Sequence, residues 1–224
     1  MTLLTEPTRI VLSKTQIIPT VIGEPFGGGY FAGYISHTAD GNPTHALIVA
    51  PRATGATGTN YPTGPAFNLR WKTANTDTAG TNSTFDGAAN TAAMVAAGIA
   101  DHPAANFCVN LSIGGFTDWY LPAWQEMDIA YFNLKPDTTT NNTSWGSNIY
   151  SVPRRDINYT ATYPTQTAVF AFISSTEVFV PNHHWSSSET NASTGVDFFF
   201  NNGGQRNLTK TIESRVRAFR RIAL

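Results

Sequence analysis

Cysteine is almost missing from this chain: Cys108 is the one example in 224 residues. An intrachain disulfide is therefore excluded, and so is a zinc site built on paired cysteines. In Ala105-Asn106-Phe107-Cys108-Val109 the thiol sits among mostly apolar neighbours and reads as a small buried hydrophobe rather than a nucleophile. Charge is scarce as well, at 13% of residues with a formal net of -1. Binding to nucleic acid rests on a basic excess that this composition lacks. Long hydrophobic runs are also wanting. Nothing approaches the roughly 20 apolar residues of a membrane span, and the first 14 residues do not read as a secretory leader. We expect no nucleic-acid partner, no membrane insertion and no cofactor.

Hydrophobic residues make up 41% of the chain and aromatics 12%, enough to fill a substantial core. The polar remainder is dominated by Thr, Asn, Ser and Gly, which suits a loop-rich protein with many β-strands. Residues 1–22 alternate apolar and polar types and read as an extended arm that needs a partner surface, with Pro19 arguing against a central strand. Residues 23–224 read as one domain. A hairpin is predicted from Tyr30–Ser36 and His45–Ala50 around Thr-Ala-Asp-Gly-Asn-Pro-Thr. Residues 51–87 read as a long loop with one short strand near Trp71.

A first helix is predicted from Asp86 or Gly87, with Ala88, Ala92, Val95 and Ile99 facing inward and Pro103 closing it. The stretch Gly114-Gly115-Phe116-Thr117-Asp118-Trp119-Tyr120-Leu121-Pro122 then leads into a second. Pro122 fits its first turn, Trp124, Met127, Tyr131 and Leu134 share one face, and Lys135-Pro136 ends it. Glu126 and Asp128 fall on other faces. Further strands are predicted in 144–152, 165–174, 177–189, 195–204 and 213–222, the last with Arg215 and Arg217 on a wet face. Asn201-Asn202-Gly203-Gly204 reads as a hairpin turn. The expected fold class is α+β, with two helices, mostly antiparallel strands and long irregular loops.

Several fragments carry a recognisable order. Gly27-Gly28-Gly29-Tyr30-Phe31, the Trp119-Tyr120-Leu121-Pro122 corner, His184-Trp185-Ser186-Ser187-Ser188-Glu189 and Ser214-Arg215-Val216-Arg217-Ala218-Phe219-Arg220 together resemble the C-terminal domain of bacterial collagen-like adhesins, a domain also found in phage proteins. The resemblance spans about 23–222. It implies a C-type-lectin-like fold, related to that of formylglycine-generating enzymes, with paired N- and C-terminal strands and a loop-rich binding face. It implies a structural signature of Trp119, Leu121, Pro122, Trp124, Trp185, Arg215 and Arg217. The Glu-Pro-Asn and Trp-Asn-Asp elements of calcium-dependent lectins are not present, nor are the C-terminal cysteines of the oxidases.

Sharper chemical readings find little support. Adjacent His183 and His184 point to opposite faces of a strand, which disfavours one shared metal. Ser186–Ser188 lack a nucleophile elbow. The arginines at 154, 155, 215, 217, 220 and 221 read as a solvated strand face or as partners of neighbouring subunits rather than as an anion patch. The expectation is a non-enzymatic virion protein of a phage, either a fibre or tail adhesin or a capsid decoration protein, attached to other virion subunits through its arm and forming a homo-oligomer. The alternatives are a bacterial surface adhesin and an enzyme on the formylglycine-generating scaffold. Host glycan or protein would meet the loops near 56–85 and 137–165, where Tyr61, Trp71, Trp145 and Tyr159 offer aromatic faces.

Overall fold

The computed structural model describes residues 17–58, 68–173 and 177–224. In chain order its strands are β1 (Pro25–Phe26), β2 (Gly29–Ile35), β3 (His45–Val49), β4 (Leu69–Arg70), β5 (Ser151–Val152), β6 (His183–Asn191), β7 (Thr194–Phe199), β8 (Gly204–Thr209), β9 (Glu213–Ser214) and β10 (Phe219–Ala223). The helices are α1 (Arg52–Gly55), α2 (Gly87–Gly98), α3 (Pro103–Val109) and α4 (Trp124–Leu134). The class is α+β with mostly antiparallel pairing, as the sequence predicts, although four helices rather than two occur among the described residues.

The predicted hairpin forms the centre of one sheet, ordered β1-β2-β3-β10, with β5 joining β2 as well. The final strand pairs with β3, while β1 pairs only with β2. Interior position explains why β2 and β3 are buried along almost their whole length. The Gly27-Gly28-Gly29 run admits a close backbone approach: a Cβ on Gly29 would lie 2.2 Å from the Val49 carbonyl oxygen. A second sheet is the meander β6-β7-β8, and β4 pairs with β9 alone. The Asn201–Gly203 turn joins β7 to β8 as expected.

Four local expectations are corrected. Pro103 opens α3 at its first residue, where a missing N–H costs nothing, instead of merely closing a helix. The inward face of α2 is Gly87, Asn90, Thr91 and Met94; Ala92 and Val95 are exposed. Asn90 belongs inside because Nδ2 donates to the Ser83 carbonyl (2.7 Å) and Ser187 Oγ (3.0 Å). The 165–174 strand is a 3₁₀ turn at Phe170–Phe172 in its described part. The last strand is broken between β9 and β10 and has no wet face at Arg217. That guanidinium is buried, donating to the Ala50 carbonyl and pairing with Glu177 at 3.0 Å.

The corner before α4 is held by a reciprocal backbone pair between Tyr120 and Phe219, 2.8 and 3.0 Å. Pro122 precedes the cap, Ala123, and so lies just outside the helix rather than in its first turn. Glu126 reaches back to accept from the Ala123 N–H (2.8 Å) and from the Gly87 N–H (3.2 Å), which ties α4 to the start of α2. Trp119, Leu121 and Trp185 are buried, whereas Trp124 is partly exposed. Two indoles stitch strand to loop: Trp71 Nε1 donates to the Ser186 carbonyl and Trp185 Nε1 to the Leu69 carbonyl, both at 2.9 Å.

Lys72, Lys135 and Lys210, all the lysines among the described residues, are interior. Lys72 Nζ donates to the carbonyls of Thr76 and Asp77 and to Thr78 Oγ1. Lys135 Nζ donates to the Thr139 and Pro164 carbonyls and to Asn141 Oδ1. Lys210 Nζ donates to the Thr76 and Ala192 carbonyls, pairs with Glu189, and lies 4.6 Å from the Trp71 ring centre. A buried ammonium is tolerated only when its protons are taken up by oxygen in this way.

Candidate functional site

The loop after α4 is built on one carboxylate. Trp124, Asp128 and Phe132 follow one another at helical spacing, and Asp128 is fully buried between them. It accepts from Asn148 Nδ2 at 2.7 Å, from Tyr159 OH and from Arg155 Nη2. Burial pushes its carboxyl above the ordinary range, while the Arg155 charge pulls the other way. The same burial, with Asp128 beside it, raises the Tyr159 hydroxyl well above normal. Asn148 distributes the constraint further: Nδ2 also donates to the Gln125 carbonyl, and Oδ1 accepts from the Tyr150 and Ser151 N–H groups. Arg155 lies over the Phe132 ring at 4.3 Å and donates to the Gly146 carbonyl. Residues 142–159 are thus closed around a charged anchor.

Trp145 is carried on this loop. Its N–H donates to the Asn142 carbonyl at 3.3 Å, and its carbonyl accepts from the Tyr159 N–H at 2.7 Å. Gly146, the next residue, has φ +115°, and a Cβ there would lie 2.3 Å from the Tyr159 ring. Asn142 is fixed in turn by donating its N–H to the Asn202 carbonyl, 2.8 Å away in the β7–β8 turn. The Trp145 ring meets Trp124 edge-on at 6.4 Å and 71°. It stays half-buried, beside a depression of about 250 Å³ lined by Trp145, Val196, Gln205, Arg206 and Asn207.

Strand register sorts these neighbours. Val196 pairs with Asn207 and Phe198 with Gln205, so the alternation of a pleated ladder sets Asn207 and Gln205 on the Val196 side. Arg206 pairs with Asp197, and its Nε donates to Asp197 Oδ2 on the other side at 2.9 Å. The shelf is therefore an indole bordered by neutral amides. Gln205 Nε2 and Asn201 Oδ1 are buried without a hydrogen-bond partner among the described residues. An aromatic face bordered by amide residues suits a ligand that offers hydroxyl or carbonyl oxygens.

The other aromatic candidates fare differently. Trp71 is 0% exposed and Tyr159 is buried with its hydroxyl on Asp128, so neither presents a ring to a ligand. Both are core residues because each satisfies its polar atom internally. Tyr61 lies outside the described residues. Glu126 and Asp128, expected on outer faces of α4, are fully buried. The role of Asp128 was readable in principle: an acid midway between two aromatics at i-4 and i+4 is an acid on an apolar stripe.

Most of the other polar side chains are absorbed by the scaffold. His183 Nδ1 lies 2.7 Å from Asp197 Oδ2, with its ring stacked on Phe199 at 4.0 Å. His184 points to the other side, packed against Phe179 and Phe200. Ser186 Oγ donates to the Val196 carbonyl and Ser188 Oγ to the Ser83 carbonyl. Arg154, Arg155, Arg217, Arg220 and Arg221 each pair with a carboxylate, and Arg215 Nε donates to the Gly58 carbonyl. Among the described residues no three His, Cys, Asp or Glu side chains converge as metal ligands, and no helix is long and apolar enough to cross a membrane. Compared with family models and with curated proteins, the chain matches none of them.

Proposed function

We propose that this chain is a non-enzymatic display module of a phage particle, of the C-type-lectin-like class, which binds an uncharged saccharide of a host surface on the Trp145 shelf. One observation carries the binding reading: an indole held half-exposed by a loop locked on Asp128, beside a depression also lined by the amide residues Gln205 and Asn207. Stacking of an aromatic ring on the C–H face of a pyranose, with amides meeting its hydroxyls, uses those groups and needs no metal. Placement on a particle is supported by the resemblance of the four signature stretches and by an apolar arm outside them. On a bacterial surface the shelf would work by the same chemistry.

Titration of the purified full chain against immobilised neutral oligosaccharides tests the reading. Trp145→Ala is expected to weaken binding at least tenfold while leaving the melting temperature within about 2 °C, because a half-exposed side chain contributes little to stability. Equal binding by parent and variant would remove the shelf from consideration. Peptide mass spectrometry of purified phage particles checks the placement separately.

A further inference from the structure

Apolar surface collects where the arm enters the domain. Val21, Ile22, Gly23 and Glu24 face Ala168 and Val169 across an open groove of about 670 Å³. Three large apolar side chains stand out near it in sequence: Ile17 at 87%, Val21 at 64% and Phe170 at 75% exposure. The groove floor is firm. A Cβ on Gly23 would lie 2.4 Å from Val169, Gly23 N–H donates to the Phe31 carbonyl, and Tyr34 OH donates to the Pro19 carbonyl.

From this we infer that the groove receives residues 9–16 of a second copy of the chain, so that arms are exchanged between subunits. Three observations select that occupant. Ile10, Val11 and Leu12 give the segment apolar side chains to match the groove. It carries Arg9 and Lys14 and no acid, facing the exposed carboxylate Glu24 in the groove wall. Finally, it cannot easily return to its own groove. Residues 17–20 contain no turn or bend, and residues 8–16 hold no Gly, Pro, Asn or Asp to make one. Residues 17–20 run on from Val21 without a reversal, and a segment of eight residues can span up to about 27 Å, enough to meet a neighbour.

The inference deepens the proposed role of the arm, and its test reads assembly alone, so it and the saccharide reading can fail separately. Sedimentation velocity of the full chain is expected to show self-association, weakened at least tenfold by Val21→Asp or Phe170→Asp and unchanged by Trp145→Ala. Both positions are exposed, Val21 in the groove and Phe170 next to Val169 in its wall, and thermal melts verify that the variants fold. Cys108 is buried, which leaves introduced thiols as the reactive ones. Oxidising a mixture of Lys14→Cys chains and Glu24→Cys chains is expected to yield a covalent heterodimer. A monomeric parent, self-association that ignores both Val21→Asp and Phe170→Asp, or intrachain closure in the doubly substituted chain would each overturn the proposal.

Discussion

At the residue scale, the buried ionisable groups matter most. His184 is enclosed by Phe179 and Phe200, and burial, seconded by the nearby Arg215 and Arg217 charges, lowers it to about 3. An unfolded chain takes up that proton below about 6.5, whereas the folded one does not until about 3. The unfolded state thus binds more protons across this window, and stability is lost as pH falls through it, by about 1.4 kcal/mol per unit. Glu126 acts in the opposite sense. Burial raises it to about 7, so its contribution is full below about 4.5 and declines as pH rises toward 7. His184→Phe is expected to flatten the acid limb of stability between pH 6 and 4 relative to the parent, as followed by urea unfolding at each pH. An unchanged slope would mean that His184 is protonated in the folded state. The burial of Glu126 is not advertised by the sequence. Glu126 sits at a position that suits a solvated helix start, and only its three partners, Tyr120, Ala123 and Gly87, reveal why it turns inward.

Elements were legible where apolar periodicity is strong and misread where polar side chains do interior work. The β2–β3 hairpin and α4 followed directly from their patterns. On α2, counting only apolar residues selected the wrong face, because the inward stripe includes Asn90 and Thr91. The short β8 strand, Gly204–Thr209, has almost no apolar alternation and owes its ladder to β7. The candidate site shows the same division. Trp145 was identifiable as an aromatic in a polar loop, but Trp71 and Tyr159 looked alike in sequence and differ only in where their polar atoms are satisfied. The loop carrying Trp145 depends on Asp128, so Asp128→Ala is expected to speed amide exchange across 142–159 far more than in the β2–β3 hairpin. Removing the carboxylate leaves Arg155 without its counter-charge, a loss of about 3–5 kcal/mol for a buried pair. Saccharide binding should fall with Trp145 itself untouched. Uniform exchange throughout the molecule would show that the anchor is global rather than local.

At the scale of the whole molecule, the sheets and helices of the described residues enclose two apolar clusters, one holding Trp71, Trp119 and Trp185 and the other Tyr131, Phe172, Phe179, Phe198 and Phe200. The α+β class was readable because antiparallel hairpins announce themselves through turn residues. The order of strands was not, since pairing β3 with β10 joins segments about 170 residues apart, and nothing local encodes that partnership.

Interior ammonium groups have an environmental consequence. Lys72, Lys135 and Lys210 occupy the centres of oxygen clusters in the loops at 76–78, 139–141 and 189–192, the kind of carbonyl-rich nest that a divalent ion fills elsewhere. Positive charge there is covalently attached and cannot be washed out. Melting curves with and without a millimolar chelator should superimpose, whereas Lys210→Met, which strands Glu189, should lower the midpoint by well over 5 °C. At these three clusters the polypeptide supplies its own cation, tethered by a side chain to the loop it holds.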